Sequence, residues 1–272
     1  MYKQYPLSLA FLTVQACPPL EHVKAAAQSG YDMAGLRLIA PHGLELAHPI
    51  VGNTPLIREI KTTAVDLGIS FYDGEVFTLL PETDVESWLP VIEAAAEFGM
   101  PVMQITCEDH DLSRAGDRLG RIADAAAQHG MKMAIEFMRW RSTATIQDAG
   151  RLVAASGRDN VGILLDALHL SRSGGSPADV AALPAGLVLY LQLCDAPARQ
   201  PLDNAACIAE ARTERMFPGD GGLWLNELMS VLPRDITISV ETPHKGDSTL
   251  SFAERAEKGM AATRRFLDAL ES

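Results

Sequence analysis

Cysteine is scarce in this chain: four in 272 residues, at Cys17, Cys107, Cys194 and Cys207. None falls in a C-x-x-C spacing, which leaves no basis for a zinc knuckle or a disulfide frame. Reduced thiols in a cytoplasmic protein are the expectation. Long hydrophobic runs are missing as well. No stretch approaches the roughly 18 apolar residues of a membrane span, and no basic segment followed by an apolar one opens the sequence. No membrane partner is therefore expected. Positive charge is in short supply, with 23 Lys plus Arg against 35 Asp plus Glu and a net charge of −12. That balance argues against nucleic acid, whose backbone needs clustered Lys and Arg; a few local arginines would still suffice for a small anion. Internal repeats, linkers and low-complexity segments are absent too. Thr13-Val14-Gln15-Ala16-Cys17, which follows the first strand-like stretch, has no glycine, whereas a doubly wound open sheet would want a Gly-rich phosphate turn there.

What the sequence does have is a set of short apolar runs, four of which end on a possible metal ligand. Residues 131–135 run into Glu136, residues 161–165 into Asp166, residues 187–191 into Gln192, and residues 236–240 into Glu241. A run of about five apolar residues reads as a strand buried on both faces, as in a parallel sheet. Such strands alternate with helical stretches along the whole chain. Strands are expected at Leu7 to Thr13, Tyr31 to Ile39, Ile69 to Phe77 and Pro101 to Thr106, followed by the four that end on ligands. Helices are expected at Pro19 to Ser29, Thr54 to Leu67, Val85 to Phe98, Leu112 to His129, Thr145 to Ala155, Pro177 to Leu183 and Leu250 to Leu270. Gly30, Gly68, Gly99 and Gly130 serve as stops. Eight β–α units at this length predict an α/β fold, a single (β/α)8 barrel over residues 1–272. The longest irregular stretch, Cys194 to Gly222, follows strand seven; long βα-loops of this kind usually build the mouth of an active site.

In a parallel barrel all strand C-termini open on one face, so Glu136, Asp166, Gln192 and Glu241 would surround a common centre. Carboxylates and an amide oxygen are hard ligands, suited to one divalent ion, Mn²⁺ or Mg²⁺. His169, three residues after Asp166, is either a core histidine or a hydrogen-bond donor to substrate. Arg215, in the long loop, is either solvated or a clamp on a substrate oxyanion or carboxylate. Arg37 could hold an anion or pair with a carboxylate, and Glu75 and Gln104 could line the pocket or face solvent. Tyr72 and Trp140-Arg141 could form an apolar wall or pack in the core. Asp195 and Pro197 read as structural, turning the chain out of strand seven. His42, His48, His110 and His244 fall in loops without metal-like spacing.

The segments Ala134-Ile135-Glu136, Leu164-Leu165-Asp166-Ala167-Leu168-His169, Leu191 to Pro197, Phe217-Pro218-Gly219-Asp220-Gly221 and Val240-Glu241 resemble the xylose isomerase-like TIM-barrel superfamily. This group includes sugar isomerases and epimerases, inosose-pathway enzymes and 3-dehydroshikimate dehydratases. The resemblance implies one divalent metal held by Glu136, Asp166, Gln192 and Glu241, with Glu136 and Glu241 also acting as the opposed acid/base pair. It further implies substrate contacts from His169, Arg215, Glu75 and Arg37. The expected reaction is isomerisation or epimerisation of a polyhydroxylated carbonyl compound, by proton abstraction through a metal-stabilised enediolate. A small-molecule substrate and a homodimer go with it. Two positions depart from the common pattern. Most epimerases of the group carry His where this chain has Gln192, and Gln there resembles the dehydratases, making a carbon–oxygen lyase the alternative. Arg37 stands where Glu is frequent.

Overall fold

A computed structural model describes residues 5–41 and 43–270; His42 lies outside the described residues. Eight strands pair in parallel and in chain order: β1 (Leu7–Leu9), β2 (Met33–Arg37), β3 (Ser70–Leu79), β4 (Val102–Cys107), β5 (Lys132–Glu136), β6 (Val161–Asp166), β7 (Val188–Leu193) and β8 (Ile238–Val240). β8 closes on β1 through the register Leu7↔Ile238, Ser8↔Ser239 and Leu9↔Val240. The expected barrel is the fold.

Among the described residues ten helices surround it: α1 (Pro19–Ser29), α2 (Thr54–Leu67), α3 (Leu89–Phe98), α4 (Leu112–Ala127), α5 (Ile146–Ser156), α6 (Ala167–Arg172), α7 (Pro177–Ala181), α8 (Asn204–Thr213), α9 (Leu225–Val231) and α10 (Phe252–Leu270). Local chemistry sets their ends. Asn53 and Asp111 accept the backbone N–H of Leu56 and Arg114 to start α2 and α4, and Thr145 with Asp148 forms a capping box on α5. α2 ends at Gly68, whose φ of +71° is the left-handed conformation that glycine adopts without Cβ strain.

Period-two alternation splits each strand between two cores. Outward residues such as Leu7, Leu9, Ile135, Ile163, Leu165, Leu191 and Ile238 join the large apolar layer beneath the helices. Inward residues form the barrel's own filling, with Val102, Ala134, Leu164 and Tyr190 as its apolar part. Continuing that alternation toward the C-terminal face puts Glu136, Asp166, Gln192 and Glu241 one layer above Ala134, Leu164, Tyr190 and Ser239.

The structure revises several boundaries. The first strand ends at Leu9, because Phe11–Val14 is a 3-10 turn. The expected helix from Val85 opens as a 3-10 turn at Glu86–Trp88, and α3 proper follows with Pro90 in its first turn, where a missing N–H costs no intrahelical bond. α6 was not expected. The stretch 194–222, read as irregular, contains α8.

Candidate active site

Six side chains meet at the C-terminal face, all buried: Glu136, Asp166, His169, Gln192, Arg215 and Glu241. Five of them come from a strand end or the helical turn beyond it, and Arg215 comes from the loop just after α8. Asp166 ends β6 and also caps α6, its Oδ1 accepting the His169 N–H at 3.0 Å. The α6 turn brings His169 back over the strand, with its Nε2 3.4 Å from Glu136 Oε1 and 4.0 Å from Asp166 Oδ2. One ligand atom each from Glu136, Asp166 and His169 lie within 4.8 Å of one another.

Arg215 ties the other side together. Its Nη1 donates to Asp166 Oδ2 at 2.6 Å and its Nη2 lies 2.8 Å from Glu241 Oε2. Gln192 Nε2 donates to the second Glu241 oxygen at 3.1 Å, and Gln104 Nε2 donates to Glu136 Oε2 at 2.5 Å. Asp195, buried at the exit of β7, holds the Arg215 loop by accepting the N–H groups of Gly219, Gly221 and Leu223 at 3.0 to 3.1 Å. Its structural reading stands.

Arg37 and Glu75 are register partners on β2 and β3, joined by a 2.5 Å ion pair. Arg37 also lies over the Phe11 ring, 4.4 Å from its centroid. Of the two sequence readings for Arg37, pairing with a carboxylate is the one observed. Arg215 is likewise committed to protein carboxylates. Trp140 packs edge-on against His169, with ring centroids 5.2 Å apart, and Tyr72 does the same to Tyr190 at 5.2 Å.

The electrostatics follow from three buried carboxylates and one buried guanidinium. Burial first, then repulsion from Glu241 and Asp166, pushes the Glu136 carboxyl well above its usual range. Burial, with Asp166 and Glu75, pushes Glu241 up to about 8 against the pull of Arg215 and Arg37. Burial also acts to raise Asp166, but Arg215, then His169, outweigh it and leave Asp166 below the ordinary value. Desolvation, reinforced by Arg215 and Arg141, brings His169 down to about 4 despite Asp166, so its imidazole is neutral.

Two further observations test whether a cation fits. The Gln192 Oε1 and Gln104 Oε1 atoms are buried without a hydrogen-bond partner among the described residues. A buried carbonyl oxygen left unpaired beside carboxylates that resist ionisation is a donor set waiting for positive charge. Glu136, Asp166, Gln192 and Glu241 therefore fit a hard dication, with His169 as an additional nearby donor.

Sequence reasoning missed one layer. Asp73, Tyr190, Ser8 and Ser239 are fully buried, and their side-chain oxygens find no partner among the described residues. They lie two residues before Glu75, Gln192, Ala10 and Glu241. Period-two counting back from Glu75, Gln192 and Glu241 would have found Asp73, Tyr190 and Ser239.

Buried acids gathered at the C-terminal face of a closed parallel barrel place this chain among the β/α-barrel enzymes. More narrowly, it belongs to the xylose isomerase-like TIM barrel family, whose model matches residues 23–270. Over 107 residues it is 33% identical to the 3-dehydroshikimate dehydratase of Pseudomonas aeruginosa, a match covering 39% of this chain and 16% of that protein. Over 116 residues it is 27% identical to the inosose isomerase of Halalkalibacterium halodurans, covering 42% of this chain and 39% of the relative. These matches thus span well under two thirds of either relative. Among solved structures it is similar in fold to an IOLI protein with a bound zinc atom (TM-score 0.79, 16% identity, 97% of this chain and 99% of that one). It is also similar to a D-psicose 3-epimerase (TM-score 0.73, 16% identity, 98% and 100%).

Proposed function

We propose that this chain is a divalent-metal-dependent isomerase or epimerase of a polyhydroxylated carbonyl compound, such as a sugar, sugar acid or cyclitol. The observation that carries this reading is the convergence of Glu136, Asp166 and Glu241 with the unpaired Gln192 oxygen in one buried centre. A dication held there, Mn²⁺ or Mg²⁺, would polarise the substrate carbonyl and offset the negative charge that develops on it.

The chain's own residues supply the rest. Glu136 and Glu241 stand on β5 and just past β8, so they reach a substrate between them from different sides of the barrel. Burial makes both carboxylates stronger bases than in water, suited to taking a proton from carbon beside the carbonyl and returning one elsewhere. Arg215 fixes Asp166 and Glu241 in place, while the neutral His169 ring keeps an N–H for a substrate oxygen. Trp140 and the walls around His169 exclude water from the carbanion.

The second reading is a carbon–oxygen lyase, in which a β-hydroxyl leaves with a proton instead of the carbon being reprotonated. Gln192 within Gln192-Leu193-Cys194-Asp195-Ala196-Pro197 and the 33% match to a 3-dehydroshikimate dehydratase favour it.

One experiment tests both. Metal content is read for wild type and Glu136→Gln after dialysis against Mn²⁺, then near-ultraviolet absorbance is followed with 3-dehydroshikimate, with EDTA as control. Metal-dependent growth of an aromatic product makes the lyase reading the correct one. Solvent deuterium entering a ketose or inosose without that product supports the isomerase. Wild type that holds no metal, or Glu136→Gln with unchanged metal content and melting, removes the site assignment.

A further inference from the structure

Arginines collect on one side of the mouth of this acidic barrel. The loop after β5 is laid against α8: Arg139 Nη1 reaches Cys207 Sγ at 3.4 Å, and Trp140 packs in one cluster with Ala211. The next residue along each segment is an arginine, Arg141 on the loop and Arg212 on the helix. The two are near enough that the Arg141 guanidinium, destabilised first by burial, is destabilised further by the charge of Arg212. Arg141 has one acidic partner, Glu108, and its buried Nε has no partner among the described residues. Arg212 is exposed, and no ion pair is found for it among the described residues.

The pair adjoins the catalytic centre on two sides. Trp140, next to Arg141, touches His169, which faces Glu136. Arg212 lines an open groove that also includes Thr13, Thr242 and His244, and Thr242 follows Glu241 directly. Two guanidinium groups that repel one another, with one N–H left unpaired and buried, are stabilised by an anion placed between them. Their planar forks match a carboxylate or phosphate, and neutral hydroxyls would leave the repulsion standing.

We propose that Arg141 and Arg212 form an anion subsite beside the Glu136–His169 centre, which takes a carboxylate or phosphate group carried by the substrate. The identity of that anion as part of the substrate rests on the function proposed above; the subsite itself is testable without turnover. It would make acidic or phosphorylated polyols better ligands than neutral sugars.

Inorganic phosphate and, separately, malonate are titrated into the full chain by calorimetry, with ionic strength held constant by NaCl. Wild type is compared with Arg141→Gln, Arg212→Gln and Arg158→Gln, the last removing a cation that pairs with Asp124 outside the region described. Losing one charge-assisted contact weakens binding about 10-fold or more in the first two variants and leaves the third unchanged. Arg212 is exposed, so its variant carries the test even where Arg141→Gln fails to fold. Tighter phosphate points to a phosphorylated substrate, and tighter malonate to a carboxylic acid. No heat beyond that of chloride, or wild-type affinity in Arg212→Gln, overturns the subsite. Metal content is measured in every sample, so a metal-free chain that still binds the anion through Arg212 refutes the metal-centred function and not this inference.

Discussion

Replacing Arg215 by Met should destabilise the protein more than removing any other single charge. The side chain is fully buried and its guanidinium is the cation bridging Asp166 and Glu241, at 2.6 and 2.8 Å. Methionine approximates its length but leaves two buried carboxylates without their counter-charge, next to Glu136. Removing one partner of a buried pair costs about 3 to 5 kcal/mol. For a chain of this size a change of 1 kcal/mol moves Tm by about 2 to 4 °C, so the expected drop is roughly 6 to 20 °C. The drop should depend on pH in a defined direction. In wild type Arg215 keeps Asp166 ionised, and without it Asp166 and Glu241 bind protons more readily. The variant's deficit should therefore be larger at pH 8 than at pH 6. Differential scanning calorimetry in EDTA at both pH values measures this. A melting point within about 2 °C of wild type at pH 8, or a deficit that grows toward acid, would refute the electrostatic account.

Three further outcomes are expected. His22, buried with its Nε2 3.1 Å from Leu9 O, is brought down to about 4 by desolvation. Its folded value lies below the unfolded one, so it contributes stability that is whole above pH 6.5 and declines by about 3 kcal/mol on going down to pH 4; urea titrations of wild type against His22→Gln should show the variant's curve flatter across that window. Asp195→Ala removes the acceptor for three loop N–H groups, and at about 1 kcal/mol or more per buried bond it should cost about 3 kcal/mol and loosen Arg215, visible as faster hydrogen exchange at 215–223. Gly116→Ala would place a Cβ 2.7 Å from the backbone oxygen and Cβ of Ala155, forcing α4 from α5 at a cost of about 1 to 3 kcal/mol; a melting temperature equal to wild type would contradict the packing described.

The barrel was legible because parallel strands are apolar on both faces, and an acid ending such a run has no packing reason to be there. β6 and α2 match the sequence reading residue for residue. Three helices, α6, α8 and α9, had no bounds readable from the sequence, and the first two show why. α6 follows β6 without a break in apolar character, so periodicity could not separate strand from buried helix; the cap that divides them is Asp166, which also reads as a ligand. α8 was lost in a loop rich in polar residues, although Asp203, which accepts the Ala206 N–H, was an available start signal. At the site, ligand types were readable and commitments were not. A loop arginine such as Arg215 reads in sequence as either solvated or a clamp on substrate, and only the folded chain shows that it is buried against two acids. Gln104 appeared a weak candidate because nothing local reveals its bond to Glu136, a residue 32 positions away.

Arg172 shows what the fold demands of anyone who would exchange its parts. Fully buried at the end of α6, it donates twice to Glu210 of α8, at 2.7 and 2.8 Å, and once to the Pro197 carbonyl at 2.8 Å. The helix that starts at Asp166 and the helix that leads to Arg215 are thereby fastened to each other as well as to the barrel. A graft that transplants the 194–222 loop into another barrel would carry Glu210 without its guanidinium, stranding a buried acid. The modular unit of this mouth is α6 plus the loop, inherited together or not at all.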